Sequence, residues 1–111
     1  MLKKAEQLEV QVLNMSRKLL GAEHPHTLIR MGNLARTYHY QGKLNEAEQL
    51  EVQVLNISEK LHGAEHPHTL IRMENLARIY RYQERLNEAE QLEIQILDIR
   101  KKLLYKEHPD K

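Results

Sequence analysis

Apolar residues fall along this chain at intervals of three and four, the spacing that lays a single stripe along an α-helix. Leu28, Met31, Leu34, Ala35 and Tyr38 form one such stripe between Pro25 and Gln41, and a copy of it runs from Pro67 to Gln83. We call these A-type helices. A second kind, B-type, has Ala47, Leu50, Val54, Ile57 and Leu61 in line, widened by Val52 and Leu55. A stripe that broad implies neighbours on more than one side. Proline suits the first turn of each A helix, where its missing N–H would be unpaired anyway. At the start of the B helix, Asn45 is placed to accept from free backbone N–H groups and Glu48 to reach back. Asn87 and Glu90 repeat this capping box. Gly21 and Gly63 supply the left-handed residue that ends a B helix. The expected order is B-A-B-A-B, with turns near Gly21, Gly42, Gly63 and Glu84.

The pattern of stripes is itself periodic. Shifted by 42 residues, positions 1–42 and 43–84 differ at only ten places, and 85–111 continue the register. Self-similarity at such a period indicates supersecondary units stacked in a row. A propeller blade of that length needs four strand-like segments, which this sequence lacks. The expectation is one domain, residues 1–111, made of units 1–42, 43–84 and a partial 85–111. Lys3 stands where Asn45 and Asn87 stand, and neither end shows the atypical polar element that closes a solenoid. An excised or engineered fragment of a longer array is therefore expected.

Composition narrows the function. Leu, Glu, Gln, Lys, Arg and Ala dominate, as in helical proteins. There is no cysteine, which excludes disulfides, thiolate metal sites and thiol catalysis. The formal net charge of +1 lacks the basic excess of a nucleic-acid binder. No apolar run approaches the roughly 20 residues that span a bilayer. Neither nucleic acid nor membrane is expected as a partner, and a cytoplasmic location is.

Met31-x-x-Leu34-Ala35-x-x-Tyr38-x-x-Gln41-Gly42-x-Leu44-x-Glu46-Ala47 resembles the tetratricopeptide repeat pattern, and the match recurs at Met73, Leu76, Ala77, Tyr80, Gln83, Leu86, Glu88 and Ala89. The long unit, with His-Pro between repeats and Asn-Leu-Ala in helix A, resembles the 42-residue repeats of kinesin light chain. Met31 and Met73 at the large aromatic position, and Glu84 in place of the turn glycine, depart from it. The resemblance implies an all-α, right-handed α-solenoid of antiparallel helix pairs, and a non-catalytic protein-interaction scaffold.

The residues richest in candidate chemistry are Glu23-His24-Pro25-His26 and their copy Glu65-His66-Pro67-His68. A zinc site needs three or four converging ligands, and histidines two apart around a proline do not stack as ligands one helical turn apart do. The third copy reads Glu107-His108-Pro109-Asp110, without the second histidine. These joints are expected to be a turn and a helix start, with His24 or His26 near the cap; a weak metal-binding repeat through the loops is the outside alternative. No metal or cofactor is expected. Glu46/Glu48 and Glu88/Glu90 face apart in solvated surroundings, unlike a general acid–base pair. Ser16, Thr27, Thr37, Ser58 and Thr69 have no consistent base partner, and no phosphate-binding glycine loop is present. An enzyme is not expected.

In arrays of the resembled type helix A lines a concave groove. Matching positions puts Ile29, Gly32, Asn33, Arg36, His39 and Tyr40 on that face of the first A helix, and Ile71, Glu74, Asn75, Arg78, Arg81 and Tyr82 on the second. The expected peptide-binding residues are Asn33, Arg36, His39, Tyr40, Asn75, Arg78, Arg81 and Tyr82, with the asparagines matching groove residues that hydrogen-bond a peptide backbone. Arginines on the A helices, set against acidic B-helix starts, favour an acidic peptide or a C-terminal carboxylate; alternatively the arginines simply pair with those acids. Self-association is also expected. Tyr82-Gln83-Glu84-Arg85-Leu86 contains only helix-tolerant residues, so the A and B helices there are expected to fuse, or the Gln83-Glu84-Arg85 hinge to open, giving a domain-swapped or face-to-face dimer.

Overall fold

The computed structural model describes residues 2–107. His108, Pro109 and Asp110 of the third joint lie outside them. Five helices follow one another: α1 (Leu2–Leu20), α2 (Pro25–Tyr40), α3 (Leu44–His62), α4 (Pro67–Tyr82) and α5 (Leu86–Glu107). α2 and α4 are the A-type helices and the other three are B-type, in the expected alternation. Each packs on its neighbours in sequence, which makes a slab of 52 × 34 × 19 Å, one helical hairpin thick. No described helix is long and apolar enough to cross a membrane.

The B-to-A joints follow from their residues. His24 and His66 are the N-caps of α2 and α4, in extended backbone. Each ring Nδ1 accepts a hydrogen bond from the N–H two residues on, His26 at 3.1 Å and His68 at 3.0 Å. Behind each cap lies a hydroxyl pair, half-buried at the first joint and buried at the second. Thr27 donates to the Gly21 carbonyl at 2.7 Å and meets the Ser16 hydroxyl at 2.8 Å, while Thr69 meets Ser58 at 3.0 Å. Thr27 and Thr69 are fully buried, so hydroxyls with no base partner in the sequence lock the joints. Gly21 and Gly63 end α1 and α3 at φ 104° and 92°, conformations that a side chain would strain.

The A-to-B turns correct two expectations. Asn45 and Asn87 are not caps, because α3 already begins at Leu44 and α5 at Leu86. The N-cap of α3 is Lys43, which makes no side-chain cap bond. Nor do α4 and α5 fuse. Lys43 N–H donates to the Tyr38 carbonyl at 2.8 Å and Gly42 N–H to that of His39 at 2.9 Å; Arg85 to Tyr80 at 2.8 Å and Glu84 to Arg81 at 3.0 Å repeat the pair. These are the two bonds of a Schellman motif. Glu84 accepts φ 62° to complete its copy. It is held there through Arg85, whose guanidinium lies 4.4 Å from the Tyr80 ring and bonds Glu48 at 2.6 Å and Glu88 at 2.9 Å. The left-handed conformation costs a non-glycine residue on the order of 1 kcal/mol. Glu84→Gly is accordingly expected to raise stability by up to about 1 kcal/mol, as read from urea denaturation; a loss would mean that the Glu84 side chain helps to hold the turn.

Two apolar clusters form the core. Leu13 of α1, Leu28, Met31 and Leu34 of α2 and Val54 of α3 make the first; Leu55 of α3, Leu70, Met73 and Leu76 of α4 and Ile96 of α5 make the second. The wide stripe of α3 thus faces two ways, Val54 toward α2 and Leu55 toward α4. Equivalent residues at the ends have no such neighbour: Leu8, Val12 and Met15 on α1 and Ile94 and Leu97 on α5 are exposed.

Candidate functional site

α2 and α4 lie side by side on one face of the slab, and between them runs a groove of about 750 Å³. Asn33, Arg36, His39 and Tyr40 reach it from α2, and Asn75, Arg78 and Tyr82 from α4. Seven of the eight expected side chains therefore meet in one place. The eighth, Arg81, does not join them. It is drawn toward α5, where its Nε bonds Glu93 Oε2 at 2.7 Å within a two-pronged ion pair. That hydrogen bond holds the Glu93 carboxyl below its ordinary pKa. Glu74, also placed on the groove face by the sequence, turns outward to pair with Arg100.

The groove has residues that the pattern of positions did not single out. Arg72 enters it from α4 and lies over Gly32 of α2, where a Cβ would meet the Arg72 Nη1 at 2.6 Å. The glycine makes room for the guanidinium. Glu51, from α3, forms part of the floor with Ala35 and Ile79. It is only 5% exposed, and its Oε1 has no hydrogen-bond partner. Burial pushes its carboxyl up to about 7, against the pull of Arg72, Arg78 and Arg36. Sequence alone offers a faint sign of this: Glu51 lies one residue from Val52 and three from Val54, inside the wide apolar stripe of its helix.

The charges in the groove are not consumed internally. Ion pairs among the described residues engage Lys43, Lys60, Arg81, Arg85, Arg100 and Lys106. Arg36, Arg72 and Arg78 form none, and Arg78 makes only a long 3.5 Å bond to Asn75. The aromatic end is ordered by contact between the helices, with the His39 ring edge-on to Tyr82 at 4.5 Å and beside Tyr40 at 5.9 Å. A concave surface with three unpaired guanidiniums, two half-buried asparagines and flanking tyrosines can bind an extended anionic chain. It offers no nucleophile with a base beside it, as acyl or phosphoryl transfer would need.

The histidines gather at the second joint. His62 stacks on His66 at 4.5 Å, and His68 stands edge-on to both, at 5.7 and 4.8 Å. Among the described residues no three of His, Cys, Asp or Glu converge to hold a metal ion, because the His66 Nδ1 is committed to capping α4 and the rings pack against one another. Burial first, and then the neighbouring His62 and His68, lower the His66 pKa from 6.5. A histidine so depressed supports the fold above its ordinary value, and that support is lost as pH falls below 6.5 through the lowered one. In the first joint Leu20 occupies the position of His62. His62→Leu should therefore return the His66 midpoint toward 6.5, which histidine ring NMR across a pH titration would register; an unchanged midpoint would leave burial and His68 as the causes.

The family model described as tetratricopeptide repeat matches three successive stretches, residues 2–26, 27–68 and 69–110. No curated protein matches the chain in sequence. Among solved structures, a Podosopora anserina protein described as a kinesin light chain with nearly identical TPR-like repeats is 37% identical at a TM-score of 0.84. The match covers 98% of this chain and 52% of that one. A variant of that protein gives the same identity and TM-score, with 51% of its length covered. BtubC (BKLC) from P. vanneervenii, 21% identical, shares the fold at a TM-score of 0.84 over 91% of this chain and 40% of that one. The chain thus spans about half the length of the first of these structures.

Proposed function

The chain belongs to the tetratricopeptide repeat family, whose members are in general protein-interaction scaffolds, and on that premise we propose that it is a non-catalytic adaptor receiving an extended acidic peptide between α2 and α4. The observation that carries this reading is the set Arg36, Arg72 and Arg78, three guanidiniums that converge on one groove with no carboxylate partner, whereas Arg81, Arg85 and Arg100 pair with acids. Asn33 and Asn75 stand beside them, spaced by one repeat, to bond a peptide backbone.

Titration with a fluorescent all-glutamate peptide tests the reading. Arg36→Glu with Arg78→Glu is expected to weaken binding at least tenfold, and raised salt to weaken the parent. Arg81→Glu, outside the groove, should change it little. Equal loss in both variants, or no binding by the parent, would overturn the assignment.

A second reading, self-association, is favoured by the exposed Leu8, Val12 and Met15 at one end and Ile94 and Leu97 at the other. Their equivalents in α3 are buried or half-buried against A-type helices. Sedimentation across a wide concentration range tests it: dimers diminished by Val12→Ser with Met15→Ser support association through the open end. Dimers that instead persist there but vanish in Glu84→Gly point to exchange through the Gln83-Glu84-Arg85 hinge.

A further inference from the structure

The three B-type helices place a glutamate at one register: Glu9, Glu51 and Glu93. Two of them are satisfied from an adjacent A-type helix. Glu9 accepts a hydrogen bond from the Thr37 hydroxyl of α2, and Glu93 accepts two from the Arg81 guanidinium of α4. At Glu51 both arrangements are missing. One repeat on from Thr37 stands Ile79, which has no donor. One repeat back from Arg81 stands His39, whose ring lies against Tyr82 instead. Two of the ten differences between the repeats thus fall on the two positions that would have held this carboxyl. What remains is a buried, unpartnered acid in the floor of the groove. A buried acceptor without a donor is unfavourable unless something brings one.

We infer that Glu51 determines the specificity of the groove: a bound peptide gives Glu51 the hydrogen bond that Thr37 gives Glu9. The peptide needs a hydroxyl or amide side chain where it crosses the floor, flanked by acidic residues that meet Arg36, Arg72 and Arg78. This rests on the groove reading and narrows its ligand class. The groups that face Glu51 are Arg36 and His39 from α2 and Arg72 and Arg78 from α4. None of them bonds it, and each arginine favours its charged form. With its carboxyl held up to about 7 by burial, Glu51 is mostly a carboxylate only above that pH. A carboxylate is the stronger acceptor, so an arriving donor lowers its pKa and expels a proton. Preference for a donor-bearing peptide therefore widens as pH rises through about 7.

The test uses pentapeptides of glutamate in which one serine is scanned through every position, each against its alanine counterpart, at pH 5.5 and 8. At one position serine should bind roughly tenfold tighter than alanine at pH 8, and less than that at pH 5.5. Ile79→Thr, which restores the Thr37 arrangement, should erase the preference while the alanine peptide still binds. Carboxyl-carbon NMR of Ile79→Thr should show the Glu51 midpoint lowered without any ligand. Serine and alanine peptides binding equally at every position would overturn this inference and leave the acidic-peptide reading standing. A preference that survives in Ile79→Thr would place it on another residue. No binding of any peptide would overturn both.

Discussion

Glu51→Gln is expected to make the folded chain more stable at pH 8, by on the order of 2 kcal/mol, and to change it little at pH 5. The carboxyl is 5% exposed and unpartnered, and burial raises it from 4.5 to about 7. The folded chain therefore holds a proton that the unfolded chain releases between those two values. Stability from this group is fully present below about 4.5 and is lost as pH rises through about 7, the reverse of an ion-paired acid. A raise of that size corresponds to at most about 3 kcal/mol between the two limits. The amide of glutamine resembles the protonated acid and cannot ionise, so the variant keeps its low-pH stability. Urea denaturation at both pH values reads the difference. Glu9→Gln is the control, since Glu9 already accepts from Thr37 and its replacement should bring no gain. The difference between variant and parent cancels the opposite pH dependence of His66, and a Glu51→Gln gain that does not grow between pH 5 and 8 would mean that water or a local rearrangement satisfies Glu51.

Leu34→Ala should cost about 2–5 kcal/mol, the range for emptying a well-packed leucine site. Leu34 is 4% exposed and joins Leu13, Met31 and Val54 across three helices. Because each helix packs on its sequence neighbours, few other contacts bridge the gap, and the loss is a large part of the 5–15 kcal/mol typical of a domain. Leu76→Ala, one repeat on, empties the equivalent place in the second cluster and should cost a similar amount. The clusters share only α3, through Val54 and Leu55. Hydrogen exchange resolved by helix should find α1 and α2 released first in Leu34→Ala, and α4 and α5 in Leu76→Ala, as nearest-neighbour stability in a repeat array requires. Uniform release of all five helices in either variant would show the short stack to be a single cooperative unit.

The fold was legible because its causes are local. Three-and-four spacing, proline at a helix start and glycine after a helix end are each read within a few residues. The 42-residue register then fixes which stripe meets which. Of the candidate site, the convergence was legible: seven of the eight side chains named by position matching line one groove, and their binding of a peptide is the proposal. Where reading failed, two local signals competed. Asn45 is a good cap residue, but Leu44 completes the apolar stripe of α3, and the helix starts there. Glu84 tolerates helix, but the Schellman bonds and the hold of Arg85 on Tyr80 and Glu48 stop α4 before it.

Taken by itself, the sequence determines the helices and their alternation, since periodic burial of apolar side chains settles both; the family and the expected groove face followed from matching its repeat motif. The fate of each charged residue was decided only by the tertiary structure. Glu9, Glu51 and Glu93 are the same residue in nearly the same local context, yet one meets a hydroxyl, one an arginine and one nothing. Arg81 leaves the groove and Arg72 enters it for a similar reason. A polar group's energy in a protein depends on desolvation and on the atom a few ångströms away, and here that atom belongs to another helix.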